Sequence, residues 1–327
     1  MPRLLSTFTD SFLDSTIFYS FDRSGFIRHA KSFNPQDLDV DLTGKIALVT
    51  GANSGLGLIT ALALAKRNAT VYLLCRNVER GTAAEQSIRK QSANDLVHFK
   101  QIDLCDITSI ANFNQHFEEE HIDILIHNAG VLPTSYQESP QGLELTYATN
   151  IVGPHYLTLC LWSKLSKAKK ARMIIVSSGG MYPVKMSIQK LQKPAKPFNG
   201  VEAYAMSKRA QVILAELWAE KGLNSEITVH SMHPGWADTP GVEQSMPAFW
   251  DKMKNRLRSP EQGADTIIWL AISQAAQQSS GQFWFDRKPR KIHFLPWTQH
   301  KQGLPQQLWN SITESLELHL EHKVKSI

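Results

Sequence analysis

A tyrosine and a lysine four residues apart, Tyr204 and Lys208, are the pair in this sequence best suited to acid–base chemistry. On a helix this spacing places both side chains on one face. A phenol has a pKa of about 10, and a neighbouring ammonium lowers it by favouring the phenolate. Tyr204 can then give a proton to a carbonyl oxygen or take one from an alcohol. Most pairs with this spacing are solvated helix faces, so the assignment depends on what surrounds the pair.

Two serines, Ser177 and Ser178, stand one strand–helix unit before this pair, at the end of an apolar run. The carboxyl ends of parallel strands are where such sheets bind ligands. A hydroxyl there can stabilise the charge that develops on a reacting oxygen. We therefore expect Ser178 to bind the substrate oxygen, and the alternative is an ordinary Ser/Gly turn. A serine hydrolase is not indicated, because the Gly-x-Ser-x-Gly motif is absent at this strand.

A glycine-rich turn near the start of the predicted domain indicates a site for a dinucleotide. Residues 50–57 read Thr-Gly-Ala-Asn-Ser-Gly-Leu-Gly, between a predicted strand and a predicted helix. Glycine permits a tight turn and lets a pyrophosphate approach the backbone, and the amides that begin the helix favour phosphate. A purely structural loop is the alternative. The residues expected to hold the cofactor here are Gly51, Asn53, Ser54, Gly55, Leu56 and Gly57.

The ends of the next strands bear on the choice of cofactor. Arg76 follows the second strand, at a position where an acid would bind the ribose hydroxyls of NAD(H) and none is present. An arginine can pair with a 2′-phosphate, so the sequence favours NADP(H) over NAD(H); the alternative is a surface arginine. Asp103 and Leu104, after the third strand, are expected near the adenine. Three residues after the fourth strand are expected to turn beneath the cofactor: Asn128, Ala129 and Gly130.

These residues need a framework of alternating strands and helices, which the sequence from residue 43 onward provides. Short apolar runs alternate with helical patterns, and no Gly/Ser linker or repeat interrupts them. Continuous apolar strands separated by helices predict a parallel sheet covered on both faces. The expected fold is α/β, a single Rossmann-type doubly wound domain with a parallel seven-stranded sheet. Its strands are expected at 45–50, 71–75, 97–103, 122–126, 173–176, 227–232 and 283–285.

Helical patterns fill the intervals between these strands. The helices are expected at 56–67, 79–91, 107–120, 143–166 and 202–221. Residues 43–290 then form the Rossmann-fold NADP(H)-binding catalytic domain. Residues 185–198, inside this domain, are rich in Lys, Gln and Pro and are expected to form a surface loop.

Two extensions flank this domain, residues 1–42 and 291–327. The first is expected to be helical, because apolar residues alternate with polar ones in a pattern that predicts a short amphipathic helix packed on the core. Contact with a membrane surface or a partner is the alternative. The second extension is expected to contain an amphipathic helix at 306–323. The apolar residues of the N-terminal pattern are Phe12, Leu13, Ile17, Phe18 and Phe21.

Composition limits the classes of function. The 327 residues are 42% hydrophobic and 20% charged, which fits one large globular domain. The net charge of +5 is modest, and no Lys/Arg run is interleaved with aromatics, so nucleic-acid binding is not expected. The three cysteines lack metal-ligand spacing, so we expect a reducing compartment and no metal site. The N-terminus lacks a signal-peptide pattern and no apolar stretch is long enough to span a membrane, so we expect a cytoplasmic protein.

The motifs together resemble the short-chain dehydrogenase/reductase family, over about residues 43 to 285. Residues 50–57 match its glycine-rich motif and residues 128–130 match its Asn-Ala-Gly. Ser178 matches the family's serine, and Tyr204 with Lys208 matches its Tyr-x-x-x-Lys. The resemblance implies an oxidoreductase that transfers a hydride between a nicotinamide cofactor and a carbonyl or alcohol, with Tyr204 as acid/base.

Further roles are implied by the same resemblance. Asn150 matches the family's helix asparagine and would position a water in the proton relay. Lys208 would also hold the nicotinamide ribose. The nicotinamide carboxamide would be held by the segment after the sixth strand, where the matching residues are Pro234, Gly235 and Thr239.

Two features depart from the common pattern of the family. His127 stands where many members carry a second asparagine, a change expected to be tolerated. Ser178 and Tyr204 lie 26 residues apart, farther than in many members, so the chain between them must pass over or beside the pocket. This resembles retinol-dehydrogenase-like members and suggests a lipophilic or bulky carbonyl substrate. Residues 176–181, residues 231–242, and Arg258 with residues 262–266 resemble one narrower group within the family.

Other functions stay open at this point. One is a sensor or scaffold that binds NADP(H) without turnover, which the complete catalytic set argues against. Another is a C=C reductase related to protochlorophyllide reductase, and a third is a lipid enzyme held at a membrane surface by residues 12–30. Family members often form homo-oligomers through two long helices, here 143–166 and 202–221, an interface that the extensions could block or replace.

Overall fold

The sheet is the centre of the molecule. The computed structural model describes residues 17–324, with side chains over 19–320. Eight strands form one sheet in the order β3-β2-β1-β4-β5-β6-β7-β8, and the first seven are parallel, which confirms the predicted fold. The strands are β1 Ile46–Thr50, β2 Thr70–Cys75, β3 Val97–Gln101, β4 Ile124–His127, β5 Arg172–Val176, β6 Thr228–Met232, β7 Phe283–Phe285 and β8 Lys288–Pro289.

The eighth strand is the difference from the predicted sheet. β8 is two residues long and pairs antiparallel with β7. Asp286 and Arg287 connect them, both with positive φ (48° and 55°), as a two-residue type I′ hairpin turn requires. Neither residue is a glycine, so the sequence of the turn does not predict a hairpin.

The principal helices cover both faces of the sheet. Two apolar clusters lie on either side of it: α5, α7, α9 and α13 contribute to one, and α3, α4 and α12 to the other. Most strand residues are fully buried, which accounts for their continuous apolar character. The helices are α1 Ile17–Phe21, α2 Arg23–Ala30, α3 Gly55–Ala65, α4 Val78–Ser92, α5 Ile107–Gln115, α6 Leu145–Tyr147, α7 Gly153–Lys167, α8 Ile188–Gln192, α9 Gly200–Gly222, α10 Pro240–Ser245, α11 Pro247–Met253, α12 Pro260–Ile272 and α13 Leu304–Val324.

The predicted helix over 143–166 is interrupted. A π-helical segment, Ala148–Val152, separates α6 from α7. Pro154 lies in the first turn of α7 and cannot donate a main-chain hydrogen bond. Wider turns of this kind occur frequently at functional sites, and this one contains Asn150.

Over its described residues, 17–42, the N-terminal extension forms two short α-helices and a 3-10 turn at Pro35–Leu38, where the sequence predicted one helix. Asp22 separates α1 from α2 and caps α2 by accepting hydrogen bonds from the amides of Ser24 and Gly25. Phe21 is buried against the sheet domain, as expected of a packed amphipathic segment. Phe12 and Leu13 lie outside the described residues.

The C-terminal helix α13 packs on the domain, close to its predicted position. Leu308, Ile312 and Leu316 are spaced four residues apart and are buried, as one face of a helix requires. The ring of Trp309 lies 4.8 Å from that of Trp218 on α9 and 4.5 Å from that of His155 on α7. α13 therefore covers part of the two long helices that the resemblance implies as an interface between copies of the chain.

The segment 185–198 is more ordered than the predicted surface loop. It contains helix α8, whose first turn is capped by Ser187, which accepts a hydrogen bond from the amide of Lys190. Met186 and Leu191 are buried in the core beside it. Its Lys, Gln and Pro residues dominate the composition, but two buried apolar side chains suffice to fix the segment.

Helix lengths and ligand clusters give two further observations. Over residues 17–324, no helix is both long enough and apolar enough to cross a membrane. Within the same part of the chain, no group of three or more His, Cys, Asp or Glu side chains is arranged to hold a metal ion.

Candidate active site

The glycine-rich turn is tied to the end of β4. The Thr50 hydroxyl, at the end of β1, accepts hydrogen bonds from the amides of Asn128 and Ala129, each at 3.0 Å. The Asn128 side chain donates in return to the carbonyl oxygen of Thr50 at 2.9 Å. The sequence placed these two motifs in separate strand–helix units, and the structure brings them into direct contact.

The fit of this turn to a pyrophosphate depends on its glycines. A Cβ on Gly57 would lie 2.5 Å from the side-chain nitrogen of Asn128 and from the carbonyl oxygen of Gly51, so only glycine permits the close packing. Gly51 and Gly55 have positive φ (65° and 53°). Ser54, exposed at the start of α3, makes no side-chain cap hydrogen bond. The amides of this turn are therefore available to a phosphate at the positive end of the helix, and the residues present fit a dinucleotide.

The expected adenosine end lies on the edge beyond β2. Arg76 is exposed directly after β2. The carboxylate of Asp103 accepts a hydrogen bond from the amide of Cys105 at 3.0 Å. β3 ends at Gln101, two residues earlier than predicted, so Asp103 lies in the following loop. The Leu104 side chain is buried in the core, so only its main chain is free to border a nucleotide.

The Tyr204 and Lys208 side chains lie together on α9 beside the end of β5. The Lys208 ammonium lies 5.4 Å from the centroid of the Tyr204 ring. It donates hydrogen bonds to the carbonyl oxygen of Val176 at 2.8 Å and to the side-chain oxygen of Gln211 at 3.0 Å. Lys208 is only 3% exposed, so α9 holds a buried amine next to the phenol.

Ser178 is a second partner of the Tyr204 phenol. Its hydroxyl accepts a hydrogen bond from the amide of Gly180 at 3.2 Å and is hydrogen-bonded to the Tyr204 side chain. Ser177 points the other way and donates to the main-chain oxygen of Lys208 at 2.8 Å, which ties β5 to α9. Ser178 is thus part of a Ser/Gly turn, as the alternative had it, and also a partner of Tyr204.

Burial is the main influence on the acidities of the pair. Burial lowers the pKa of Lys208 to about 7. Burial also raises the pKa of Tyr204 above its ordinary value, against the opposing effect of its hydrogen bond with Ser178. Desolvation therefore opposes the phenolate, and a lysine with a pKa near 7 is only partly charged at neutral pH. The expected lowering of the Tyr204 pKa by Lys208 stays a prediction.

Asn150 is completely buried under the site. Its side-chain oxygen accepts a hydrogen bond from the amide of Val131 at 2.9 Å. Its side-chain nitrogen donates to the carbonyl oxygen of Val131 at 3.1 Å and to the hydroxyl of Ser207 at 3.0 Å. A Cβ on Gly130 would lie 3.4 Å from both the Asn150 side-chain oxygen and the Lys208 nitrogen. Asn150 and Lys208 therefore meet at the motif that follows β4.

Sequence reasoning missed Gln211. Its side-chain nitrogen donates to the carbonyl oxygen of Asn150 at 2.8 Å, while its side-chain oxygen accepts from Lys208. Gln211 thus bridges Asn150, which the resemblance implies positions a water, and Lys208, which it implies holds the nicotinamide ribose. Its spacing of three residues from Lys208 on one helix could have indicated it.

The loop after β6 completes the site. Thr239 caps α10 by accepting a hydrogen bond from the amide of Val242. A Cβ on Gly55 would lie 3.4 Å from the Thr239 side chain, so this loop touches the glycine-rich turn. Gly235 has a φ of 75°, and the carbonyl oxygen of Pro234 accepts a hydrogen bond from Arg258 at 3.3 Å. Thr239, one of the three residues expected at the carboxamide, therefore borders the turn expected to hold the phosphates.

The unusual His127 is accommodated without disturbing Asn128. It is buried, its Nε2 lies 2.8 Å from the Thr158 hydroxyl, and burial lowers its pKa to about 3. A neutral imidazole can share a hydrogen bond with a hydroxyl. The expected tolerance of this substitution thus has a structural basis.

The sequence matches one family of known proteins over most of its length. The short chain dehydrogenase family matches residues 45–248. Human dehydrogenase/reductase SDR family member 12 is 44% identical over 275 residues, which are 84% of this chain and 86% of that protein. It represents the narrower group that three stretches of the sequence indicated. Mouse retinol dehydrogenase 11 is 31% identical over 86% of this chain and 90% of its own length.

Solved structures show the same fold. A protein from Mycobacterium paratuberculosis superposes with a TM-score of 0.69 and 24% identity, over 85% of this chain and 95% of that chain. A short chain dehydrogenase from Escherichia coli CFT073, complexed with NADPH, gives a TM-score of 0.62 and 23% identity, over 78% of this chain and 100% of that chain. The sequence match, the identity to its relatives and the shared fold agree, and the chain belongs to the short chain dehydrogenase family of oxidoreductases.

Proposed function

We propose that this chain is an NADP(H)-preferring enzyme that interconverts a carbonyl compound and its alcohol, with Tyr204 as the acid/base. The observation that carries the proposal is the convergence of Tyr204, Ser178 and Lys208 at the carboxyl end of the sheet, beside the glycine-rich turn. Ligands bind at this end in doubly wound sheets. A protein that only bound the cofactor would have no need of the complete set.

The residues divide the chemistry between them. When bound, the nicotinamide supplies a hydride to the carbonyl carbon or accepts one from the alcohol. Ser178 binds the substrate oxygen, and Tyr204 gives it a proton in reduction or takes one in oxidation. Lys208, held by Val176 and Gln211, stabilises the phenolate that reduction leaves behind. The raised pKa of Tyr204 favours the protonated phenol, which is the form that gives a proton in reduction.

The preference for NADP(H) is supported by the position of Arg76. It is exposed beyond the end of β2, where the adenosine ribose would lie. A guanidinium can form charge-assisted hydrogen bonds with a 2′-phosphate. The next residue, Asn77, accepts a hydrogen bond from the amide of Arg80 and caps α4, so it is not free to replace an acid at the ribose.

A lipophilic carbonyl substrate is supported by the segment between Ser178 and Tyr204. It buries Met181 and Tyr182 directly beside the Ser178 turn, and the Tyr182 ring lies 4.7 Å from that of Phe294. Phe294 itself is 59% exposed. A buried apolar cluster thus lies beside the serine, and the name of the related retinol dehydrogenase 11 points to a lipophilic alcohol.

The proposal is tested by screening the protein for NADPH oxidation against aldehydes, ketones and quinones, with Tyr204→Phe as the paired variant. We expect turnover with at least one carbonyl class, lost in the variant, while NADPH binding changes by less than about threefold. Wild-type activity in Tyr204→Phe on that substrate would show that the acid/base is assigned to the wrong residue. Tight NADPH binding with no oxidation across the panel would instead favour a protein that binds the cofactor without turnover.

A further inference from the structure

The N-terminal helices reach into the active site through one aromatic side chain. A Cβ on Gly179, directly after Ser178, would lie 2.6 Å from the Phe21 ring. On its other side the Phe21 ring lies 4.4 Å from the ring of His233, at the start of the loop after β6, and 5.2 Å from that of Phe285. Phe21 therefore fills the space between the Ser178 turn and the loop expected to hold the nicotinamide.

A buried ion pair fixes this arrangement. Arg258 is 1% exposed and Asp286 is 2% exposed, and the guanidinium binds both carboxylate oxygens at 2.6 and 2.8 Å. The remaining donors of Arg258 bind main-chain oxygens of two segments, the N-terminal segment and the loop after β6. They reach Ser20 at 2.8 Å, Phe21 at 2.9 Å and Pro234 at 3.3 Å. One side chain thus ties the N-terminal segment to the loop after β6 and to the β7–β8 hairpin.

The charge of Asp286 is secured despite its burial. Burial alone would raise the pKa of this carboxyl, but Arg258 and a hydrogen bond with His29 hold it below its ordinary value. His29 lies on α2 and bonds the Asp286 carboxylate at 2.6 Å. The N-terminal helices thus contribute directly to the ion pair.

Main-chain hydrogen bonds continue the same connection. The amide of Trp236 donates to the carbonyl oxygen of Phe21 at 2.9 Å, and the amide of Arg23 donates to that of Arg256 at 2.9 Å. A Cβ on Gly235 would lie 2.6 Å from the Arg258 guanidinium carbon and 2.7 Å from the Phe21 oxygen. The loop thus passes so close to the N-terminal segment that its conformation depends on that segment.

We propose that residues 19–30 are a working part of the active site, in which Phe21 is a positioning residue that sets the separation between the Ser178 turn and the loop 233–239. This inference rests on the proposed function, in which Ser178 holds the substrate oxygen and the loop borders the hydride carrier. Misplacement of reacting groups by about 1 Å can cost on the order of 100-fold in rate. The segment therefore acts on catalysis through Phe21 and Arg258, without touching substrate.

The first test measures local order. Phe21→Ala is compared with Phe113→Ala, a change of the same side chain at a site of equal burial (8% against 9% exposed) in α5, where it packs on Phe117. Both variants leave a comparable cavity. In amide hydrogen exchange we expect faster exchange at 176–182 and 233–240 in Phe21→Ala and wild-type exchange there in Phe113→Ala. Equal exchange of these two segments in both variants overturns the proposal, whatever reaction the protein catalyses.

The second test measures function. In Phe21→Ala we expect the Kd for NADPH to rise at least about tenfold, equivalent to about 1.4 kcal/mol, and kcat to fall by at least as much. Phe21→Leu, which restores most of the volume, should recover more than half of the loss on a logarithmic scale. Phe113→Ala should stay within about twofold of wild type. If Phe21→Ala and Phe113→Ala lose stability alike and keep wild-type Kd and kcat, the segment is only structural.

The two proposals fail in different ways. If Tyr204→Phe is as active as wild type, the proposed reaction is wrong, yet the exchange result for Phe21→Ala still decides the role of the segment. If Tyr204→Phe is inactive while Phe21→Ala behaves like Phe113→Ala, the reaction stands and the positioning role is refuted. Should Phe21→Ala fail to fold, Phe21→Leu and Arg258→Lys carry the same comparison.

Discussion

Lys208 is an amine that the fold keeps almost completely out of water, and replacing it with methionine tests what that burial does. Its pKa falls from 10.5 to about 7 in the folded protein, which corresponds to about 5 kcal/mol at about 1.4 kcal/mol per pH unit. Between these two pH values the unfolded chain binds more protons than the folded one, so stability rises with pH. The destabilising effect of burying this amine is absent above pH 10.5 and reaches its full size as the pH falls through about 7.

The change in unfolding free energy over an experimentally accessible pH range follows from the two pKa values of Lys208, 10.5 unfolded and about 7 folded. Between pH 6 and pH 9 the folded protein should gain about 2.5 kcal/mol relative to a variant that lacks the amine. Tyr204, the ionisable neighbour on the same helix, has a raised pKa and remains neutral across this range. The hydrogen bonds to Val176 and Gln211 are lost in the variant at every pH, so they shift its curve without changing the slope.

The assay is urea unfolding of wild type and Lys208→Met at pH 6, 7, 8 and 9. The difference in unfolding free energy between the two should change by about 2.5 kcal/mol in favour of wild type as the pH rises. Lys100→Met, the same substitution at an exposed lysine, serves as the control and should run parallel to wild type. A Lys208→Met curve that also runs parallel, within about 0.5 kcal/mol, would show that the amine is not desolvated in the folded protein.

Three further substitutions probe other parts of the site. Gly57→Ala places a Cβ 2.5 Å from Asn128 and Gly51. It should weaken NADPH binding more than tenfold and lower the unfolding free energy by about 1–3 kcal/mol. An unchanged Kd for NADPH would contradict the role of the glycine-rich turn in binding the cofactor. Arg76→Glu should shift the ratio of NADPH to NADH affinity by about 10- to 100-fold toward NADH, from the loss of about 1.5–3 kcal/mol of charge-assisted bonding, and an unchanged ratio would remove Arg76 from the phosphate site. Asp286→Asn should cost about 3–5 kcal/mol in urea unfolding, because it leaves Arg258 buried without its counter-charge; a loss below about 1 kcal/mol would argue against the ion pair.

The strands, the glycine-rich turn and the helix bearing Tyr204 could be predicted from short sequence patterns, because each of these patterns has one dominant physical cause. Most residues of the seven parallel strands are apolar since helices cover both faces, and that pattern is visible in the sequence. The glycine-rich turn was predicted for the same kind of reason, because its glycines are required by contacts with Asn128 and Gly51. The Tyr204–Lys208 pair lies on one helix face, as its spacing required.

What the sequence could not predict depends on contacts between distant segments. The π-helical turn at Asn150 and its bridge to Lys208 through Gln211 arise where α9 packs on that turn. Phe21 and Arg258 are 237 residues apart, and neither type of residue marks an active site. The burial that opposes ionisation of Tyr204 could not be predicted, because spacing shows the neighbouring charge but not the desolvation.

The central claim is that Tyr204 delivers the proton that accompanies hydride transfer. The most direct measurement uses NADPH that carries transferable deuterium at C4 of the nicotinamide, with the best carbonyl of the panel, and follows deuterium into the alcohol carbon. Wild type should transfer the label, and Tyr204→Phe should transfer it at least about 100-fold more slowly, within the range for general acid catalysis, while binding NADPH nearly as tightly. Equal rates of label transfer in the two proteins would contradict the claim.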